Sequence, residues 1–490
     1  MHPSDAENFC VAKRQRGRFV TPTVSISEAL DNAPLSRFHT RSIFTAGMGF
    51  FTDAYDLFII GIASTLIAKQ WGLSASQTGW INSITLLAAF IGAIIFGRVS
   101  DVLGRKRTYG LEAAIMVVGA VLSAFAPSFI WLLAFRFILG FGVGGDYPMS
   151  AVLMGEFSNT KSRGKLVGLV FAMQAIGTIS GYVVGLALLS AKVNPDIAWR
   201  IMLGLGAIPA AAVIYLRRQM PESPRFLARV AGRASEAASS IAAYSEGVIK
   251  IADPSEQTTK LSLGRFLSTP TYLLYLLGTA GSWFVFDYAY YGNSISAPMI
   301  VTSVLGSSGS KVLTEAIALQ LIVFAVAAVP GYYLAAFFMD RIGHKRLQLI
   351  GFVFMGLAFL LIGVIPNVTT FVLPFMLLFG LSYFFAEFGP NTTTYVLSGE
   401  VYPTGARSTG HGISAGVAKF GAFLGVYIFP ILKSHLGVGG ALEFSFGMSV
   451  LGFLVTLVLP EPARRSLDES SRELELAATK TPSLARSAAH

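Results

Sequence analysis

Asp101-Val102-Leu103-Gly104-Arg105-Lys106-Arg107 returns far along the chain as Asp340-Arg341-Ile342-Gly343-His344-Lys345-Arg346. Each copy keeps the acid, the glycine and the closing basic pair, and each follows a long apolar run. Two further echoes keep the same order. Glu156 and Arg163 are matched by Glu400 and Arg407, and Pro221-Glu222 by Pro460-Glu461. Polar punctuation repeated at the same places between apolar runs reads as a membrane protein built from two related halves.

Composition agrees with that reading. Of 490 residues, 53% are hydrophobic and only 13% charged, too apolar a balance for a soluble domain of this length. Runs of about 20 apolar residues, enough to cross the hydrocarbon core, fall at 40–67, 79–97, 109–126, 129–155, 165–189, 199–217, 270–292, 312–339, 347–364, 369–397, 410–432 and 440–459. The expected architecture is an all-α membrane protein: twelve transmembrane helices in two pseudo-symmetric six-helix bundles, at 40–218 and 269–460. A tail at 1–39, a polar central loop at 219–268 and a second tail at 461–490 complete it.

Lys and Arg set the orientation, because short cytoplasmic loops carry the excess of positive charge. Arg37 and Arg41 precede helix 1, with Arg14, Arg16 and Arg18 further back. Arg98, Arg105, Lys106 and Arg107 follow helix 2, Lys161, Arg163 and Lys165 follow helix 4, and Arg341, Lys345 and Arg346 follow helix 8. The alternate loops are poor in positive charge. Both termini are therefore expected in the cytoplasm, in the plasma membrane. The net charge of +10 is a topology signal, aided by anionic lipid, and not a nucleic-acid footprint. The one cysteine, Cys10, can form neither an intramolecular disulfide nor a cysteine metal site. No cofactor and no metal are expected, and no nucleophile–base set marks an enzyme.

Four aspartates, Asp53, Asp56, Asp146 and Asp287, lie inside the apolar runs. A carboxylate at the centre of a membrane helix costs roughly 2.5 to 3.5 kcal/mol on insertion scales, so these acids demand partners or a watery cavity. On helix 7, Trp283, Asp287 and Tyr291 recur every four residues and share one stripe. Tyr147, Gln174, Asn391 and Lys419 add polar groups on helices 4, 5, 10 and 11, and Glu112 another on helix 3. The glycine run Gly140, Gly142, Gly144 and Gly145 follows no strand and reads as close helix packing, not as a phosphate cradle. At the loop ends, Asp101, Arg105, Glu156 and Arg163 are expected to form charge pairs that hold one face shut. Asp340, Arg341, Glu400 and Arg407 would repeat them in the second half.

The duplicated halves and Gly97-Arg98-x-x-Asp101-x-x-Gly104-Arg105-Lys106-Arg107 resemble the major facilitator superfamily and its hallmark loop. Closer resemblance lies in Phe50-Phe51-Thr52-Asp53-Ala54-Tyr55-Asp56, Gly144-Gly145-Asp146-Tyr147-Pro148-Met149-Ser150, Trp283-x-x-x-Asp287-x-x-x-Tyr291 and Gly389-Pro390-Asn391-Thr392-Thr393-Thr394. These look like the phosphate:proton symporters of fungi and plants. The resemblance implies alternating access about a cavity lined by helices 1, 4, 7 and 10. It places phosphate among Asp146, Tyr147, Gln174, Trp283, Asp287, Tyr291 and Asn391. Asp53, Asp56, Asp146 and Lys419 would handle the proton, with Glu112 a further candidate. The sequence departs from the family pattern at Ser398 and at Thr404-Gly405-Ala406-Arg407, toward the cytoplasmic end.

Carboxylates suit this anion because dihydrogen phosphate carries two O–H donors, and burial with a neighbouring anion favours the protonated acid. Phosphate and proton then promote each other's binding. No arginine stands among these ligands, which keeps open a proton-coupled carrier of an organic cation or a sugar. Sodium as the driving ion and a phosphate-sensing receptor also remain open readings.

Overall fold

The computed structural model describes residues 25–245, 251, 254, 256, 261–306 and 310–478, all in helices and their connections. Cys10, Arg14, Arg16 and Arg18 lie outside them. The first half is α1 (Arg37–Trp71), α2 (Ala75–Leu103), α3 (Arg105–Ala124), α4 (Phe129–Phe157), α5 (Arg163–Ser190) and α6 (Pro195–Arg218). The second is α7 (Pro270–Ile295), α8 (Lys311–Ile342), α9 (His344–Val364), α10 (Val372–Glu400) and one run, Arg407–Thr456, that holds the last two spans. That run breaks at Gly437, whose φ of 71° and ψ of −178° only glycine adopts easily. The break separates α11 (407–436) from α12 (438–456). Twelve long helices result among the described residues, as the apolar runs predict.

The repeated loops fold alike for a local reason. Gly104 and Gly343, the central residues of the two copies, take φ of 101° and 107° and turn the chain sharply between α2 and α3 and between α8 and α9. Glu222 then accepts hydrogen bonds from the Arg105 and Lys106 amides, and Glu461 from those of His344 and Arg346. Each Pro-Glu echo thus caps the helix that follows its own half's loop.

Glycine sets the closest helix contacts. A Cβ on Gly140 or Gly144 of α4 would lie 2.2 or 2.1 Å from the α2 carbonyls of Thr85 and Ala89. Across the halves, a Cβ on Gly97 would sit 2.5 Å from the Ser408 oxygen, and one on Gly412 would sit 2.3 Å from that of Ala93. Backbone therefore meets backbone at this end of the α2–α11 seam, while further along Trp80 and Phe90 of α2 pack on Phe423 and Phe420 of α11. Large apolar side chains such as Phe125, Ile130, Ile208, Val326, Leu373 and Leu377 face outward, as lipid contact requires. The chain is a multi-pass membrane protein.

The expected polar segments contain structure of their own. Short helices at Pro224–Arg229, Ala234–Tyr244, Leu467–Ser471 and Glu473–Ala478 lie on the face that carries the basic loops. Arg229 ties the first of them to the last two, donating to Asp468 at 2.7 Å and to Glu473 at 3.2 Å, and it also donates to Glu256 at 2.8 Å. Glu473 in turn accepts from the Thr404 amide and hydroxyl, each at 3.0 Å.

Candidate functional site

α1, α4 and α5 of the first half meet α7, α8, α10 and α11 of the second around one buried polar cluster. Asp53, Tyr147, Gln174, Trp283, Asp287, Tyr291, Tyr332, Glu387, Asn391 and Lys419 are each at most 3% exposed. Lys419 donates to Asp287 and to the Tyr291 hydroxyl, each at 3.1 Å, and its ammonium lies 4.4 Å from the Tyr147 ring centre. The stripe on α7 therefore faces inward, as its spacing predicts. Trp283 packs against Tyr147 with ring centres 6.0 Å apart.

A directed chain of hydrogen bonds crosses between the halves. Asn391 donates to the Tyr332 hydroxyl at 2.8 Å, Tyr332 to Gln174 at 3.1 Å, Gln174 to the Tyr147 hydroxyl at 3.1 Å, and Tyr147 to Asp53 at 2.6 Å. At its other end Asn391 also donates to Glu387 at 2.5 Å. Neutral groups are strung between two carboxylates, each of which can only accept when ionised.

Aromatic layers cover the cluster on both sides. α1 starts at the basic face, so Phe50 lies on that side of Asp53 and Phe58 on the other. Phe50, Phe171, Tyr395 and Trp283 pack together, with the Phe171 and Tyr395 rings stacked at 4.5 Å. Phe58 meets Tyr290, Tyr291 and Phe324 of the second half, the nearest ring centre 5.3 Å away. The cluster is occluded.

Asp146 stands apart from the other expected ligands. Its carboxylate pairs with Arg217 at 2.9 Å and accepts from Ser150 at 2.7 Å, while Arg217 also binds Glu112 at 2.6 Å. Neighbouring helix residues point about 100° apart, and here Asp146 turns to Arg217 while Tyr147 turns to Asp53 and Gln174. Asp56 is likewise separate from Asp53. It lies beside Gly206 of α6, Arg136 donates to its backbone carbonyl at 3.2 Å, and neither of its carboxylate oxygens receives a hydrogen bond among the described residues.

The loop charges pair within the halves, as expected, and across them as well. Glu156 accepts from Arg105 of its own half at 3.2 Å and from Arg407 of the other at 2.8 Å. Asp101 pairs with Arg105 at 3.1 Å and accepts from the Ser408 and Thr409 amides at the start of α11. Asp340 accepts from the Gly164 and Lys165 amides at the start of α5. Glu400 binds His344 at 2.8 Å, and Arg163 binds Asp31 at 3.0 Å instead of Glu156. Arg341 is exposed and forms no ion pair among the described residues.

Sequence reasoning missed Glu387, Tyr332, Arg136, Arg217 and His344. Glu387, in Tyr383-Phe384-Phe385-Ala386-Glu387-Phe388, carries the same sign that marked the four aspartates, an acid inside an apolar run. Arg136 and Arg217 carry the basic counterpart of that sign. Tyr332 has no such mark, because tyrosine is ordinary in a membrane helix.

The family model for sugar (and other) transporters matches residues 42–474. Among curated relatives, inorganic phosphate transporter 1-11 of Oryza sativa subsp. japonica is 35% identical, the match covering 92% of this chain and 90% of that one. Low affinity inorganic phosphate transporter 4 of Lotus japonicus is 33% identical, over 93% and 96%. Among solved structures, the proton:xylose symporter XylE bound to 6-bromo-6-deoxy-D-glucose superposes with a TM-score of 0.76 at 20% identity, covering 89% of this chain and 99% of that one. The inward-open conformation of XylE from E. coli gives 0.63 at 20% identity, over 88% and 98%. Because the match spans both halves and the helical frame is shared, this chain belongs to the sugar (and other) transporter family and has the major facilitator superfamily fold.

Proposed function

We propose that the protein imports inorganic phosphate with protons across the plasma membrane, by alternating access of the two halves about the occluded cluster. The observation that carries this reading is the cluster itself. One ammonium, an indole, two amides and several phenols meet carboxylates at a single buried place between the halves. The phosphate-transporter names of the relatives support the choice of solute.

Phosphate would lie among Tyr147, Gln174, Trp283, Asp287, Tyr291 and Asn391. Its oxygens accept from Lys419, the indole and the amides, and its hydroxyls donate to Asp287 or Asp53. With both acids ionised an incoming anion meets like charge; protonating one removes that repulsion and supplies the coupling. Asp146, with Arg217 and Glu112, serves the proton path toward the basic face, and Asp56 with Arg136 serves the first half's side of it. The basic face, with both termini, is cytoplasmic. Its cross-half charge pairs hold it shut and break as the halves rock.

Proteoliposomes with imposed gradients test this. An inward proton gradient should drive labelled phosphate uptake, and Asp287→Asn should reduce uptake to background while the protein stays in the membrane. Uptake driven by sodium alone, or counterflow with a sugar or an organic cation but not phosphate, overturns the reading.

A further inference from the structure

Glu387 sits where α10 widens into a π-turn, Glu387–Asn391, which contains Pro390 and a break at Gly389 with φ −117° and ψ −109°. Proline has no amide hydrogen to continue the helix, and the four-residue spacing keeps Glu387 and Asn391 on the same inward face. π-turns inside helices recur at functional sites. Glu387 is fully buried, in the half that among the described residues otherwise offers only Asp287 as an acid to the cluster. Tyr290 and Asp287 of α7, Tyr332 of α8, and Tyr383 and Asn391 of its own helix surround it, and α9 packs Gly351 and the Leu347 carbonyl against this turn. Lys419, the cation of the cluster, is engaged with Asp287 and Tyr291 instead.

Asn391 has two amide hydrogens, and both are in use: one on Glu387 at 2.5 Å, one on the Tyr332 hydroxyl at 2.8 Å. No phosphate oxygen can accept from Asn391 until one of these is released. An ionised carboxylate is the stronger of the two acceptors. We infer that Glu387 is a second proton-carrying acid of the transport site, one that competes with phosphate for the amide of Asn391. A proton on Glu387 turns it from acceptor into donor, frees Asn391 for the oxyanion, and travels with phosphate until both leave. This inference rests on reading the cluster as a phosphate site.

The test is equilibrium binding of labelled inorganic phosphate to the purified full-length protein, followed from pH 5 to pH 8 in the wild type, Glu387→Gln and Glu387→Asp. Phosphate's own ionisation gives all three a shared pH dependence, and Glu387 adds to it in the wild type. The Kd of Glu387→Gln should rise less steeply, by up to roughly tenfold per pH unit where the acid ionises. Glu387→Asp should restore part of the difference. Wild type and Glu387→Gln with equal slopes overturn the inference and leave the phosphate reading intact. A wild type that binds no phosphate at any pH overturns that reading and this inference with it. Should Glu387→Gln fail to fold, infrared difference spectra on phosphate addition carry the test. A protonated-carboxyl band should move between wild type and Glu387→Asp, and a band unmoved by that change overturns the proposal.

Discussion

The two copies of the repeated loop share a backbone and differ in their ions. In each, a positive-φ glycine turns the chain, a glutamate from the Pro-Glu echo caps the next helix, and the loop aspartate reaches the first amides of a helix in the opposite half. In the first copy, however, Glu156 is shared by two arginines, while in the second Glu400 binds the imidazole of His344. Arginine is always charged and histidine is not. The duplicated frame thus holds one cluster whose cations are permanent and one whose cation can lose its proton, so the same turn need not have the same strength.

The largest effect that would sharpen this contrast is expected from Glu156→Gln. It takes the shared carboxylate from two buried guanidinium groups, leaving Arg105 with Asp101 and Arg407 with no other ion pair among the described residues, and breaking such a cluster costs about 3 to 5 kcal/mol. A cysteine placed at the buried Val401 should become accessible to an impermeant thiol reagent from the basic face; unchanged labelling would deny the cluster its closing role. Glu400→Gln should show the same readout at a lower cost, about 1 to 3 kcal/mol, because His344 can shed its proton once its partner is gone. Equal labelling in the two variants breaks the comparison.

Asp101→Asn and Asp340→Asn should resemble each other, each losing about 1 to 2 kcal/mol of charge at a helix start. Thermal unfolding in detergent checks this; a clearly larger loss in one variant would carry the asymmetry into the backbone caps as well. The smallest effect concerns the tail at Arg229. Burial pulls the Asp468 carboxyl up, but the hydrogen bonds and charge of Arg229 outweigh it and hold it below the ordinary carboxylate range. A depressed folded value means that this contact is at full strength at neutral pH and is lost only as pH falls below about 4. Protection of 467–478 against hydrogen exchange, taken relative to the intrinsic rate at each pH, should therefore stay high at pH 7 and at pH 5 and fall near pH 3.

Much of the frame was legible because it rests on periodicities and signs that the chain carries locally. The repeat, the twelve apolar runs, the inward stripe Trp283–Asp287–Tyr291 and the glycine packing of α4 all follow from single helices. What failed to show was relative rotation. Asp146 and Tyr147 are neighbours in sequence yet serve different clusters, and Arg163 finds Asp31 in a segment ahead of α1 that no spacing rule links to it. Cross-half pairing of Arg407 with Glu156 was hidden for the same reason, since an internal repeat implies equivalence, not contact.

In the seam between the halves, Gly97 and Gly412 let α2 touch α11. Parting those helices bares peptide groups, which water solvates readily, instead of leucine-sized oily surface at about 25 cal/mol per Å². Wetting that crevice is therefore thermodynamically mild, and the latch holding it must be electrostatic. A single methyl at either glycine would prop the two rods ajar, biasing the carrier toward one side of the membrane without touching any ion or ligand.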